Sequence, residues 1–280
     1  MNIAQALALR GEVDSYERQE NIWLLEHFLG LSALELKYRA DQELSAEQEQ
    51  MYVQALARIA AGEPLAYITG SQPFWTLDLK VTHDTLVPRP DTEVLVETVL
   101  ALSLQRDAVI VDLGTGTGAI ALALASERQG WQITATDIYL PTLAVAQENA
   151  SKYALNQVQF ACGAWFEALA SEAEPRFDLI VSNPPYIDAN DAHIPALAAE
   201  PERALVASDQ GLADIVQIIS QGKYWLKANA WIALEHGYDQ ALAVQAIFAE
   251  HGFSEIRTVK DYAGNDRVTL AQWLAGQCSN

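Results

Sequence analysis

The sequence has few cysteines and no long hydrophobic run. Only two cysteines, Cys162 and Cys278, occur among 280 residues. They form no CxxC pair, which excludes a disulfide-stapled domain and favours a reducing compartment. No stretch reaches about 18 uncharged apolar residues, the length that a transmembrane helix needs, and the N-terminus lacks the basic and apolar regions of a signal peptide. We therefore expect a cytoplasmic protein with no membrane association.

Basic residues are also scarce. The chain has 17 Lys and Arg against 37 Asp and Glu, a formal net charge of −20. Residues 1–70 hold five basic and eleven acidic side chains, and residues 71–280 hold 12 and 26, so neither region has a basic excess. Such a surface repels phosphate backbones. Direct contact with nucleic acid is therefore not expected.

Half of the residues are apolar and 19% are charged, which is typical of a globular protein with a sizeable core. The length fits one large domain or two ordinary ones. Two regions that differ in the periodicity of their apolar residues favour two domains.

Residues 1–70 are predicted to be all-helical. Apolar residues recur at helical spacing through Ile22 and Leu29, and again through Met51 and Ile59. Three capping boxes fit helix starts: they are Asp14 with Glu17, Ser32 with Glu35, and Ser45 with Gln48. Gly30 and Gly62 stand where helices should end. This region is interpreted as a helical bundle.

Residues 71–90 have a different pattern. Polar and apolar residues alternate through Trp75, Leu77, Leu79 and Val81, which predicts a β-hairpin. The segment PRPDTE (88–93) follows and has prolines on both sides of Arg89. We interpret residues 71–90 as a hairpin and linker between domains 1–70 and 91–280.

From residue 91 onward, apolar strands alternate with amphipathic helices. This order predicts a parallel sheet covered on both faces, an α/β fold. The seven predicted strands are 108–113, 131–137, 158–163, 177–182, 230–236, 253–259 and 267–273. The last two are close in sequence and are expected to form an antiparallel hairpin.

A glycine-rich loop follows the first of these strands. It comprises Gly114, Thr115, Gly116, Thr117 and Gly118, comes after Asp112, and leads into a helix. The pattern fits the dinucleotide fingerprint GxGxx(G/A) and also the DxGxGxG loop of S-adenosylmethionine-dependent methyltransferases. Asp137 ends the second strand, where a carboxylate can bind ribose hydroxyls of either cofactor.

The fourth strand leads directly into Asn183, Pro184, Pro185 and Tyr186. In a doubly wound sheet the first and fourth strands flank the point where strand order reverses, so this motif should lie beside the glycine loop. A planar –NH₂ group is a poor nucleophile, and a site that methylates it must accept its hydrogens and hold it in line. The Asn183 side-chain oxygen and the Pro184 carbonyl can accept them, and Tyr186 offers a flat face. Positioning and desolvation should supply most of the rate, without a strong general base or a metal.

Together these motifs resemble the peptide chain release factor N5-glutamine methyltransferases (the PrmC/HemK family). The resemblance covers essentially the whole chain, and the supporting motifs are Asp112–Gly118, Asp137, Asn183–Tyr186, Pro88–Glu93 and Gly264–Leu270. It implies a seven-stranded Rossmann-like S-adenosylmethionine-dependent methyltransferase domain behind a small helical domain that recognises the substrate. It also implies methyl transfer to the side-chain amide nitrogen of the glutamine in the Gly-Gly-Gln motif of class 1 release factors, with S-adenosylhomocysteine as coproduct.

The resemblance also implies roles for residues. Gly114–Gly118 would hold the methionine moiety, Asp137 the ribose and Trp165 the adenine. Asn183 would contact both cofactor and substrate, and Pro184, Pro185 and Tyr186 would complete the glutamine pocket. Many relatives have an acid before this tryptophan, and here the residue is Ala164. Arg89 and Asp91 are interpreted as part of a loop that closes over the site, with a plain linker as the alternative. The protein is expected to be a monomer.

Four other functions compete with this one. A glutamine methyltransferase acting on a large-subunit ribosomal protein would share the fold, cofactor and NPPY motif. A DNA adenine methyltransferase would also share NPPY but needs a basic surface. A NAD-dependent dehydrogenase leaves NPPY unexplained. A module that only senses the cofactor would bind it without transferring a methyl group, and Asn183→Ala tests this alternative.

Overall fold

The computed structural model describes residues 1–169, 174–192 and 194–274. Within it the chain forms two compact units, Met1–Gly70 and Ser71–Asn280. Cys278 lies outside the described residues. No helix in these three ranges is long and apolar enough to cross a membrane.

The first unit is helical, as the periodicity predicts. Its core includes Ile3, Leu24, Leu25, Leu36 and Tyr52, all fully or almost fully buried. The helices are α1 (Ile3–Ala8), α2 (Tyr16–Leu29), α3 (Ala33–Tyr38), α4 (Ala46–Ala60) and α5 (Leu65–Thr69).

Two of the three predicted capping boxes are present. Ser32 and Ser45 each accept a hydrogen bond from the third residue of the following helix, and that residue's side chain accepts from the cap backbone. The prediction for Asp14 was wrong: α2 begins one residue later, with Ser15 as its cap, and Asp14 has a positive φ of 67°. Ser15 carries the short hydroxyl that reaches the Arg18 amide at 3.1 Å.

The second unit contains the predicted α/β sheet. The first two strands of this unit are β1 (Ser71–Phe74) and β2 (Leu77–Lys80). The strands of the seven-stranded sheet are β3 (Val109–Leu113), β4 (Gln132–Asp137), β5 (Val158–Cys162), β6 (Phe177–Ser182), β9 (Leu226–Glu235), β10 (Ser254–Lys260) and β11 (Asp266–Trp273). Two short strands, β7 (Ile187–Asp188) and β8 (Val206–Ala207), pair separately. The helices are α6 (Glu93–Leu100), α7 (Ala119–Glu127), α8 (Leu140–Lys152), the single turn α9 (Ser208–Gly211), α10 (Ala213–Gly222) and α11 (Ala241–Glu250).

The sheet has the order β10-β11-β9-β6-β3-β4-β5. Strands β9, β6, β3, β4 and β5 pair in parallel, and β11 runs antiparallel to both its neighbours. The predicted fold and the predicted final hairpin are therefore confirmed. Strand order reverses between β3 and β6, which is where a doubly wound sheet places its ligand site.

The hairpin is formed by β1 (Ser71–Phe74) and β2 (Leu77–Lys80). Trp75 was expected to continue the strand alternation, but it has a positive φ of 56° and lies in the turn between the two strands. The hairpin belongs to the second unit and packs beside α8. Asn149 of α8 accepts from the Lys80 amide at 2.7 Å and donates to the Lys80 carbonyl at 3.0 Å and to the Thr117 carbonyl at 2.9 Å. One buried side chain thus connects the hairpin to the glycine-rich loop.

Candidate active site

The glycine-rich loop turns sharply between β3 and α7. Gly114, Gly116 and Gly118 all have positive φ angles, of 71°, 58° and 84°. A Cβ on Gly114 would lie 3.2 Å from Cζ3 of Trp165, so glycine lets the indole ring lie close against the loop. The Thr115 amide donates to the Thr136 carbonyl at 2.7 Å, which fixes the loop to the end of β4.

Asp112 supports this loop from below. Its carboxyl group is fully buried and accepts a 2.6 Å hydrogen bond from the Thr115 hydroxyl. Burial raises the pKa of Asp112 to about 7. Asp112 is absent from the residues that line the cavity described below, so its contacts indicate support of the loop.

Asp137 stands at the end of β4 and faces the same loop. Its Oδ2 accepts from the Gly116 amide at 3.2 Å and its Oδ1 accepts from the Tyr139 amide at 3.0 Å. Burial raises its pKa, while these two hydrogen bonds and the charge of Arg203 oppose the shift. Each carboxylate oxygen keeps a second acceptor position, so the group is held in place and can still accept hydroxyl hydrogens.

Trp165 follows β5 and is half-buried beside Gly114. Its indole lies near the carboxylate of Asp214, at the start of α10. Burial raises the pKa of Asp214, and the nearby indole N–H of Trp165 opposes this shift. Ala164 lines the same cavity as Trp165 and Asp214.

The NPPY motif lies next to the glycine-rich loop, as the strand order predicts. It follows β6, which pairs with β3 in parallel, and the Ser182 hydroxyl donates to the Leu113 carbonyl at 2.6 Å. Asn183 and Pro185 line one cavity together with Gly114 and Gly116. Pro184 is buried and, like Tyr186, is absent from the lining of this cavity.

Asn183 and Tyr186 each contact a side chain outside their motif: Thr92, which the sequence analysis cited within segment 88–93 without a role, and Glu235, which it missed. Asn183 Nδ2 donates to the Thr92 hydroxyl oxygen at 3.1 Å, and the Tyr186 hydroxyl donates to Glu235 Oε1 at 3.3 Å. Burial raises the pKa of Glu235 to about 7, and the Thr92 hydroxyl is the strongest of the groups that oppose the shift. Burial also raises the pKa of Tyr186, so its hydroxyl stays protonated and remains a donor.

The segment 88–93 is fixed to the site at several points. Arg89 forms a salt bridge with the buried Glu200, and Asp91 lies 3.7 Å from Arg267. Pro88, Arg89 and Thr92 line the cavity. The segment is therefore part of the wall of the site, and the closing of this loop over the site stays a prediction.

These elements enclose a cavity of about 290 Å³. Its lining includes Trp165, Asp214, the glycine-rich loop, Asp137 and Asn183. Tyr139 and Arg203 also line it, with the Arg203 guanidinium 4.4 Å from the centre of the Tyr139 ring. Of the predicted site residues, Gly114–Thr117, Asp137, Trp165, Asn183 and Pro185 meet here. Gly118 begins α7 next to them.

The fold and the site define the class of protein. A family model described as a methyltransferase small domain matches residues 90–210. A solved methyltransferase structure from Pyrococcus furiosus superimposes with a TM-score of 0.54 at 19% identity, and the match covers 78% of this chain and 97% of that one. The second unit is a Rossmann-like methyltransferase domain.

A second family model and the curated relatives narrow the class to one family. A second family model, the PrmC N-terminal domain, matches residues 2–70. The release factor glutamine methyltransferase of Yersinia pestis is 47% identical over 93% of each chain, and that of Aliivibrio fischeri is 42% identical over 96% of this chain and 94% of its own. The chain belongs to the release factor glutamine methyltransferase family.

Proposed function

We propose that this protein transfers a methyl group from S-adenosyl-L-methionine to the side-chain amide nitrogen of the glutamine in the Gly-Gly-Gln motif of class 1 peptide chain release factors. The nitrogen–methyl bond forms as the sulfur–methyl bond of the cofactor breaks, and the products are N5-methylglutamine, S-adenosyl-L-homocysteine and the proton that the amide nitrogen releases to solvent. The observation that carries the proposal is the placement of Asn183 in the same cavity as the glycine-rich loop and Asp137, in a chain of this family. A cofactor site and an amide acceptor site therefore share one wall.

The residues of the cavity fit the proposed cofactor. Gly114 leaves a backbone surface that a Cβ would fill, beside an indole ring suited to stacking on adenine. Asp137 is anchored by two backbone amides and has acceptor positions left for ribose hydroxyls. The loop 114–118 would hold the methionine moiety. Asp214 supplies a carboxylate at the adenine end, where Ala164 supplies none.

When bound, the cofactor supplies an electrophilic methyl group on a positively charged sulfur. The protein's own part is to orient the glutamine amide and to exclude water. Asn183 Nδ2 is used by Thr92, which leaves Asn183 Oδ1 to accept one amide hydrogen of the substrate. The Pro184 carbonyl would accept the other, and Pro185 and Tyr186 would complete the glutamine pocket. Fixing both hydrogens aligns the nitrogen for in-line transfer.

The helical unit is proposed to recognise the release factor outside the Gly-Gly-Gln loop, because a tripeptide offers little binding area. Its surface carries apolar side chains that are strongly exposed, among them Val13, Tyr16 and Tyr38.

We propose that the chain is divided into a helical domain (1–70), a hairpin and linker (71–90) and a methyltransferase domain (91–280). We also propose that the protein acts as a monomer in the cytoplasm, where release factors work. The acidic net charge would steer the enzyme toward basic surfaces of its partner.

A transfer assay tests the proposal. Labelled S-adenosylmethionine is incubated with purified release factor and either the wild-type enzyme or Asn183→Ala. We expect label on the release factor with the wild type, and loss of at least about 100-fold in kcat with the variant. Cofactor affinity, measured separately, shows whether Asn183→Ala still binds. Transfer by Asn183→Ala at close to the wild-type rate would exclude the proposed role of Asn183.

A further inference from the structure

Asn183 can serve as an acceptor only if its amide is oriented correctly. A primary amide has a donor end and an acceptor end of nearly equal size, and rotation by 180° exchanges them. In the structure the donor end, Nδ2, lies 3.1 Å from the hydroxyl oxygen of Thr92. The acceptor end therefore points away from Thr92. The orientation of the Asn183 amide therefore depends on whether Thr92 accepts a hydrogen bond from it or donates one to it.

Thr92 could in principle donate to Asn183 instead of accepting from it, because a hydroxyl can do both. The carboxylate of Glu235 decides between the two. Glu235 is almost fully buried at the end of β9, and its Oε2 has no hydrogen-bond partner among the described residues. The Thr92 hydroxyl lies near enough to this carboxylate to lower its pKa. In its ionised form, which dominates above a pH of about 7, the Glu235 carboxylate can only accept, so it draws the hydroxyl hydrogen of Thr92 toward itself. The Thr92 oxygen is then left to accept from Asn183 Nδ2.

Tyr186 is tied to the same carboxylate. Its hydroxyl donates to Glu235 Oε1 at 3.3 Å. Glu235 therefore accepts a hydrogen bond directly from Tyr186, and it is coupled to Asn183 through the Thr92 hydroxyl. The first and the last residue of the NPPY motif are coupled to one acceptor that lies on a different strand.

Thr92 is itself held in place. It ends the short 3₁₀ turn Pro90–Thr92, and the flanking residues on both sides are anchored. Arg89 pairs with Glu200, and the Glu93 carboxylate accepts from the Trp75 amide at 2.8 Å. This anchoring gives the Thr92 hydroxyl a fixed position between Asn183 and Glu235.

We propose that Thr92 and Glu235 are positioning residues, which hold the Asn183 amide oxygen toward the cavity and Tyr186 in its pocket for methyl transfer. The inference rests on the proposed function of Asn183. It assigns neither residue a contact with substrate or cofactor. Their removal should therefore lower kcat and leave cofactor affinity almost unchanged.

The test compares Thr92→Val with Thr92→Ser. Valine has nearly the shape of threonine but no hydroxyl, whereas serine keeps the hydroxyl and loses only a methyl group. We expect Thr92→Val to lower kcat about 10- to 100-fold, because a misoriented acceptor disturbs the reacting geometry. The KM for release factor and the Kd for cofactor should stay within about twofold, and Thr92→Ser should restore most of the rate.

Glu235→Gln is the second variant. Its amide can accept through only one atom and must donate through the other, so either Thr92 or Tyr186 loses its acceptor. We expect a fall in kcat of about the same size as with Thr92→Val, again without a matching loss of cofactor affinity. The double variant Thr92→Val/Glu235→Gln should lose less kcat than the product of the two single losses, because both residues act in one network.

Thr258→Val is the control for loss of a hydroxyl in the same unit. Thr258 hydrogen-bonds Gln245 and Thr269 at 2.7 Å each, on β10. If Thr258→Val lost as much kcat as Thr92→Val, and both losses followed lower thermal stability, then Thr92 would have only a structural role. If Thr92→Val kept the kcat of the wild type, the inference would be wrong and the proposed function would be unaffected. Absence of transfer to release factor by the wild-type enzyme would contradict both the inference and the proposed function.

Discussion

Gly211 lies so close to Tyr186 that a Cβ on Gly211 would stand 2.0 Å from the Tyr186 carbonyl oxygen. That oxygen also accepts from Gln240 Nε2 at 2.9 Å, and the next residue, Ile187, pairs with Val206 in the short β7–β8 ladder. Gly211 also has a φ of 81°, which side chains other than glycine rarely adopt. The backbone of the NPPY motif is therefore fixed by a contact that only glycine permits.

Substitution of Gly211 tests this relationship. We expect Gly211→Ala to push the Tyr186 backbone away and to lower kcat about 10- to 100-fold, since small displacements at a reacting centre are costly. Cofactor affinity should change little. Gly264→Ala is the matched control: its φ is also positive, at 88°, but nothing lies within 4 Å of the added Cβ. If both variants lost the same activity, backbone strain rather than the Tyr186 contact would be the cause.

Asn149 is expected to be important for both stability and cofactor binding. Asn149→Ala leaves the Lys80 amide and two carbonyls, of Lys80 and Thr117, without their partner. Leaving buried polar groups unpaired should lower the free energy of unfolding by about 1–3 kcal/mol. Because Thr117 lies in the glycine-rich loop, cofactor affinity should fall as well. Urea unfolding and equilibrium binding measure the two effects, and an unchanged affinity would show that the hairpin does not support the loop.

Trp165 is expected to contribute stacking energy to cofactor binding. Its ring lies against Gly114, and its indole N–H is near the Asp214 carboxylate. Removing a ring that stacks on a base costs about 1–3 kcal/mol, so Trp165→Ala should weaken cofactor binding roughly 5- to 150-fold. Trp165→Phe keeps a ring and should weaken it less. Calorimetric titration with S-adenosylhomocysteine measures this, and equal affinities for all three proteins would refute the stacking role.

Asp112 should make stability depend on pH. Burial raises its pKa from 3.8 to about 7, so between these values the folded state binds more protons than the unfolded state. Its contribution to the free energy of unfolding therefore falls as pH rises from about 4 to about 7, and is constant above that. Asp112→Asn lacks this titration. The difference in unfolding free energy between wild type and variant should decrease over that window, and a difference independent of pH would contradict the assignment.

The elements of the fold were predictable because their signals are local. All seven strands of the main sheet were located within a few residues, from apolar runs separated by helical segments. The start of β9 is the largest deviation: it begins at Leu226 rather than at 230. The Asp14 cap failed because Ser15, one residue later, is an equally good cap, and its hydroxyl accepts from the Arg18 amide.

The glycine-rich loop and NPPY were visible in the sequence because each is a compact motif after a strand. The network behind them was not. Thr92, Glu235 and Arg267 are far apart along the chain and are brought together only by the sheet order. Asp214 was missed for the same reason. The one available signal for Glu235 was an acid at the end of an apolar strand, AWIALEH, which was not interpreted as part of the site.

The most direct test of the central claim offers the enzyme two protein substrates together. Purified class 1 release factor and large ribosomal subunits are mixed with the enzyme and labelled S-adenosylmethionine, and the modified residue is identified by mass spectrometry. The account predicts N5-methylglutamine in the Gly-Gly-Gln motif of the release factor, formed by the wild type and not by Asn183→Ala. Label on a large-subunit protein alone would contradict it.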